Sequence, residues 1–460
     1  MPANPAAALA PAADASGKPA LQRSLSLAQG TAINIIDMVG IGPFIVMSMI
    51  VGALHGSASV LAWLLGALLA YTDGMVWSEL GAKWPEAGGS YVFLGKLFGN
   101  GFWGRLMPFL FIWQTIIQAP LTMASASIGF SQYLNYLIPL GHYAQKAVSG
   151  GLVILVVVVL YRNIQTVGKI SMVLGAITLA TILWIICSGV PHFNAAQAFN
   201  WNFSGFDTSF ILCTSIGHAT LKAVYSYLGY YNVVHLGGEI KNPERNIPRS
   251  IFLSVTIIAL VYVGMQVALL GNLPWQTIQQ SSFVVSTYME HVYGAKVASV
   301  TTGLILVIAS SSLFALTLGY SRVPYAAARN GDFFPVFARL HPKHHFPHVS
   351  LLVLGVLGLA FSLLFKMEHV ITAIITMRIL IQFLGQSVGL IRWHWQKPAD
   401  ARPYKMPLYP LPALLSMSIW LFIFLSSPPA YLWFATGIIG VGLILFFIKE
   451  RFFPRQVKGF

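Results

Sequence analysis

Long apolar runs separated by short polar stretches divide the chain into twelve segments, at roughly 28–54, 59–80, 106–138, 147–161, 168–190, 209–237, 249–271, 297–324, 347–366, 369–393, 408–427 and 430–448. A helix of about 20 apolar residues crosses the hydrocarbon of a bilayer, so the pattern predicts twelve membrane helices. The first of these runs is interrupted from within. In INIIDMVGIGPFIV, residues 33 to 46, Gly40 and Gly42 bracket Ile41 and Pro43 follows at once. The helix there loses conformational restraint and then a backbone donor. In hydrocarbon the freed amides and carbonyls must be satisfied by protein, water, an ion or a substrate. That need makes Gly40, Ile41, Gly42, Pro43 and Phe44 candidates for binding through the backbone, with Asp37 about one turn ahead of them.

The sixth run repeats the design. It contains AVYSYLGYYNVVHLGGE, residues 223 to 239, in which Gly229 stands among aromatic residues and Gly237 and Gly238 stand near the end. A single glycine in a membrane helix usually serves close packing. Two interrupted helices at corresponding places in two five-helix halves point instead to a transport site near the bilayer midplane. Ser226, Tyr227, Leu228, Gly229 and Tyr230 are the candidates from this second break.

Composition agrees with a membrane location and rules out an ordinary soluble domain: 56% of the residues are hydrophobic, 9% are charged and mean hydropathy is +0.72. The net charge of +14 needs no nucleic-acid partner. With the N-terminal stretch placed inside and sides alternated along the chain, all but Lys146, Lys222, Lys296, Lys366 and Arg378 of the 27 basic residues fall in cytoplasmic segments. That is the positive-inside bias, and it predicts a multi-pass protein of the cell membrane with both termini cytoplasmic. Residues 1 to 25 read as a disordered cytoplasmic tail with no cleaved signal peptide. Cys187 and Cys213 fall in or beside apolar runs and are expected to be free and buried.

Five stretches carry a resemblance to the amino acid, polyamine and organocation permeases. VGIGPFI at 39–45 resembles their glycine-rich first break, and WSELGAKWPEAGGSYVFLGKLFG at 77–99 the end of helix two and the loop after it. SYLGYYNVVHLGGEIKNPERNIPRSI at 226–251 is similar to the sixth helix and following loop of L-type amino acid transporters, with likeness also to polyamine transporter-like members. SRVPYAAARNGDFFP at 321–335 and RPYKMPLYP at 402–410 resemble the loops after helices eight and ten. The resemblance implies an all-α membrane protein with a LeuT-like 5+5 inverted repeat. Its first repeat would span 26–190 and its second 209–394, followed by two helices over 408–448 and a tail over 449–460. It also implies a substrate carboxylate on the free amides of the first break and an amino group on carbonyls of both. Helix dipoles give the same arrangement, since N-terminal ends attract anions and C-terminal ends attract cations.

Other polar residues inside apolar runs need partners of their own. Gln114, Gln118 and Thr122 form a stripe four residues apart, with Gln118 the pocket candidate. Asp37, Lys222 and Glu239 are candidates for coupling or gating, whereas Asp73 and Arg378 are expected to make structural pairs. Lys222, about one turn before Ser226, disfavours a polycation nearby. Some relatives by resemblance place a lysine in helix five; Thr178 stands at about that position here. Ser311 and Ser312, with Ser310, offer oxygens to a sodium ion, although such hydroxyls more often bond their own helix. The histidines of HPKHHFPH, 341–348, lack clean metal-ligand spacing. No Walker loop, paired catalytic carboxylates, nucleophile elbow or HExxH stretch is present. The expected function is therefore secondary transport of amino acids, neutral ones first, as a proton-coupled symporter or exchanger with no cofactor. The alternatives are polyamine or cationic amino acid transport and, less favoured, a transport-fold receptor. Oligomeric state is not written in the sequence.

Overall fold

In the computed structural model, residues 21–201, 209–364 and 367–452 are described. Most of the expected disordered tail, and the chain end from residue 453, lie outside them. The described chain forms α1 (Leu27–Met38), α2 (Gly42–Leu54), α3 (Ser59–Lys83), α4 (Ser90–Phe98), α5 (Phe102–Leu137), α6 (His142–Leu160), α7 (Ile164–Ser188) and α8 (Ala195–Ala198). It continues through α9 (Ser209–Tyr227), α10 (Asn232–His235), α11 (Pro243–Asn272), α12 (Trp275–Gln280), α13 (Val284–Tyr293), α14 (Ala295–Tyr320) and α15 (Arg322–Arg329). The last elements are α16 (His348–Leu364), α17 (Met367–Arg378), a π-helical segment at Ile379–Leu384, α18 (Gly385–Gln396), α19 (Leu411–Leu425) and α20 (Pro429–Phe452).

Among the described residues, eight helices are long and apolar enough to cross a membrane, and the pair α1 and α2, bent by 47° at its break, makes a ninth. Helices α16 and α19 are apolar but shorter. The outer faces of α7 and α20 expose Val173, Trp433 and Ile444. A protein in water rarely leaves such apolar surface uncovered, whereas lipid solvates it. The same reasoning corrects the expectation for the two cysteines. Both are free, and both are exposed, because an apolar run does not distinguish a lipid-facing side chain from one facing the core.

Local signals explain where the first helix starts and stops. Ser26 caps α1 by accepting from the Gln29 amide, and the Gln29 side chain returns a bond to the Ser26 amide. Past Met38 the chain turns out of the helix, and α2 begins with Pro43 in its first turn, where a missing N–H costs nothing. Helix α1 packs on α7, α11 and α14, while α2 packs on α9, and α3 lies against both α9 and α11. The two broken helices thus sit at the centre of the bundle. Short backbone links tie one end of it: Ser24 and Leu25 both donate to the Glu239 carbonyl at 2.9 Å, Lys241 donates to Leu25, and Ala87 bridges Leu236.

Candidate functional site

Each break leaves backbone groups for other residues to satisfy. At the end of α1 the Met38 carbonyl accepts from the Tyr262 hydroxyl at 2.8 Å, and the Asp37 carbonyl accepts from Ser312 at 3.3 Å. At the end of α9 the Ser226 carbonyl lies 3.1 Å from the same Tyr262 hydroxyl. One phenol from α11 therefore stands between the carbonyl ends of both interrupted helices. Ile41 occupies the N-cap of α2 with no side-chain cap, so the positive end of that helix stays open. Asn34 fixes α1 to the second break, donating to the Tyr230 carbonyl at 2.6 Å and accepting from the Val233 amide at 2.9 Å.

Between the breaks lies a cavity of about 50 Å³, room for a few water-sized groups. From the breaks come Asp37, Met38, Gly40, Ile41, Gly42, Ser226, Leu228 and Gly229, and the wall also includes Thr122, Tyr225, Tyr231, Ser312, Tyr320 and Arg378. Two of these have ionisable side chains. Asp37 feels the field of Arg378 and accepts from Asn232. Arg378 is almost wholly buried, donates from Nε to Gln382 at 2.6 Å, and lies over the rings of Tyr231 and Phe383 at 5.1 and 5.3 Å. One of its terminal nitrogens has no partner. The π-helical segment begins at the next residue, a local widening of the helix that often accompanies functional sites.

The other residues singled out from sequence lie around this cavity. Pro43 and Phe44 enter the first turn of α2, where buried Phe44 offers its carbonyl to Tyr133 at 2.9 Å. Gln118 stands one layer back, donating to Thr122 at 2.7 Å and to Tyr320 at 3.3 Å, both of which line the cavity. Tyr227 turns away to donate to the Trp63 carbonyl at 3.2 Å, and Tyr230 turns away to donate to Asp73. Lys222 is partly buried on α9 and is not among the cavity-lining residues. Ser310 and Ser311 bond the carbonyls of Leu306 and Val307 in their own helix, so of the three serines Ser312 alone is in the wall.

Glu239, a candidate for coupling or gating, is buried, and it receives Arg322 in a two-pronged pair at 2.9 and 3.0 Å. The pair belongs to the end of the bundle tied by the backbone links of Ser24 and Leu25. The partners of Asp73, open in the sequence, are Trp77 at 2.7 Å and Tyr230. Tyr225, Tyr231 and Tyr320 were not foreseen as wall residues. The run of tyrosines around Gly229 was visible, but their facing depends on how the break rotates the chain. Among the described residues no group of three or more His, Cys, Asp or Glu side chains is arranged to hold a metal ion.

A family model described as amino acid permease matches residues 25–448. The chain is 25% identical to cationic amino acid transporter 4 of Homo sapiens over 85% of its own length and 63% of that protein. It therefore spans less than two thirds of that relative. It is 27% identical to the cystine/glutamate transporter of Homo sapiens, covering 91% of this chain and 82% of the relative. Identity to the methylthioribose transporter of Bacillus subtilis (strain 168) is 23%, with 94% of each chain covered.

Proposed function

This chain belongs to the amino acid permease family, and we propose that it is a multi-pass secondary transporter that carries neutral amino acids by alternating access. The observation that carries the proposal is the meeting of opposite helix ends at one cavity. The uncapped start of α2 is positive, and the carbonyl ends of α1 and α9 are negative. A zwitterion presents one carboxylate and one ammonium to match these two kinds of helix end, so that its burial leaves neither group unpaired. Asp37 and Arg378 add one ionisable side chain of each sign to the same wall.

A polyamine is the weaker match, because the same wall sets one guanidinium against the one carboxylate among its described residues. The relatives named for cationic amino acids and for cystine and glutamate are consistent with an amino acid substrate without fixing its charge. In this reading the chain has twelve spans in a LeuT-like 5+5 inverted repeat, with α1–α2 and α9–α10 as its two broken members and both termini cytoplasmic. Gly40, Ile41, Gly42, Ser226, Leu228 and Gly229 contact substrate directly, Gln118 acts from behind Thr122, and a proton is the coupling ion favoured over sodium.

Purified protein in liposomes tests the reading. Labelled L-leucine, L-alanine and L-threonine are offered outside vesicles loaded with the same unlabelled amino acid, and accumulation of label is expected for at least one. Binding without accumulation or exchange would overturn transport in favour of a receptor. Thermal stabilisation by spermidine or putrescine alone, through ligand linkage, would overturn the substrate class.

A further inference from the structure

Asp73 lies outside the cavity and is wholly buried on α3. Its Oδ2 accepts from Trp77 Nε1 at 2.7 Å, one turn along the same helix, and from the hydroxyl of Tyr230. Its Oδ1 makes no close hydrogen bond, and the indole Nε1 of Trp420, which faces the carboxylate, makes none either. The charged and polar groups that face it are Tyr230 from the second break, Trp77 from α3, Trp420 from α19 and the more distant Arg378 from α17. Arg378 is committed to Gln382 and to aromatic faces, and it also faces Asp37. Two acids thus share one guanidinium inside the membrane, which leaves an excess negative charge if both are ionised. A buried carboxylate with one bare oxygen is costly, and a proton on that oxygen removes the charge.

The position of Tyr230 makes this charge part of the moving machinery. Tyr230 follows Gly229, whose φ of +119° marks the turn out of the helix, and its own carbonyl is held by Asn34 of α1. Any rearrangement of the second break that rotates Tyr230 withdraws one of the two donors on Asp73. We propose that Asp73 is the site of the coupling proton, with the proton carried on Oδ1 and the Tyr230 hydroxyl linking its occupancy to the state of the second break. This rests on the transport reading above and assigns its coupling residue. Proton binding here would favour the arrangement in which Tyr230 has left Asp73, and proton release the arrangement in which it has returned.

The test separates coupling from transport. In liposomes, wild-type uptake of labelled L-leucine, L-alanine and L-threonine is measured twice, by counterflow without a gradient and as net uptake under an inward proton gradient. Asp73→Asn is expected to keep counterflow while losing the severalfold stimulation by the gradient. In Tyr230→Phe the ratio of gradient-driven uptake to counterflow is expected to fall. Infrared difference spectra of the purified full chain, taken between acid and neutral pH, are expected to show a protonated-carboxyl C=O band that Asp73→Asn lacks. An unchanged gradient response in Asp73→Asn, an unchanged ratio in Tyr230→Phe, or the same carboxyl band in Asp73→Asn would each overturn the assignment. Absence of counterflow in wild type would instead sink the transport reading, and the infrared band would still decide whether Asp73 binds a proton. Should Asp73→Asn fail to fold, the Tyr230→Phe ratio decides the coupling.

Discussion

Gly229 lies directly against Asp37: a Cβ built on the glycine would sit 2.9 Å from the Cβ, Cγ and carbonyl carbon of the aspartate. The contact joins the two breaks, since one residue belongs to the end of α1 and the other interrupts the chain after α9. Gly229 also has a φ of +119°, a conformation that a residue with a Cβ adopts only under strain.

Gly229→Ala is therefore expected to cost about 1–3 kcal/mol from backbone strain, with the clash against Asp37 added. The melting temperature in detergent should fall, and exchange of labelled amino acid should fall further than the loss of folded protein explains. A variant with wild-type melting temperature and wild-type exchange would show that the two breaks are not in contact as described.

Gly42 opens α2 beside the ring of Tyr225, 2.9 Å from where a Cβ would stand. Gly42→Leu places a side chain into the wall that carries the uncapped amides. The expected outcome is folded, monodisperse protein with uptake reduced to background. Normal uptake by this variant would remove the backbone cradle from the mechanism.

The parts of this site legible in the sequence were those written in backbone chemistry. Gly40, Gly42, Pro43 and Gly229 announce interruptions by what they lack, a Cβ or an N–H, and that signal needs no knowledge of neighbours. Ser226, Leu228, Ile41 and Asp37 followed from adjacency to the breaks, and all four line the cavity. The tyrosines were harder, because facing depends on rotation. A regular helix puts residues 227 and 230 on nearly one face, but the chain leaves the helix at Tyr227 and turns at Gly229. The turn thereby sends Tyr230 to Asp73 and brings Tyr231 to the cavity, while within α9 Tyr225 faces the cavity and Tyr227 faces Trp63. Arg378 was visible as an intramembrane charge. Its place in the wall was not, because it depends on the packing of α17 and on the π-helical turn after it. The long apolar runs mapped well onto helices such as α5 and α11. They said nothing of which faces meet lipid, as the exposed cysteines show.

Tyr262 is the shared donor for the carbonyls of Met38 and Ser226. Tyr262→Phe keeps the ring, which packs on Trp63 at 5.0 Å and Tyr227 at 5.2 Å, and removes only the hydroxyl. The one hydroxyl hydrogen shared between the two carbonyls is then lost; the Met38 carbonyl keeps the Gly40 amide at 3.1 Å, so the loss falls chiefly on the Ser226 carbonyl and is about 1–3 kcal/mol for a buried group left short of a donor. With no substrate the melting temperature should drop. In saturating substrate the deficit should narrow, since an ammonium group can supply donors to the same carbonyls. A deficit that is the same with and without substrate would separate these carbonyls from the binding site.

The pair between Glu239 and Arg322 offers a test of a different region. Both side chains are nearly inaccessible, at 1% and 3% exposure, so the charge left behind by a single substitution cannot be rescued by water. Glu239→Gln leaves the Arg322 guanidinium without its counter-charge, though still bonded to the Leu318 carbonyl and the Ser321 hydroxyl. Breaking a buried pair in this way costs about 3–5 kcal/mol. Replacing both partners by apolar residues removes the need for pairing, so Glu239→Leu with Arg322→Met should be less destabilised than Glu239→Gln alone. Thermal unfolding of the three proteins forms the comparison. A double variant at least as destabilised as Glu239→Gln would mean that an uncompensated Arg322 charge is not what the single substitution costs.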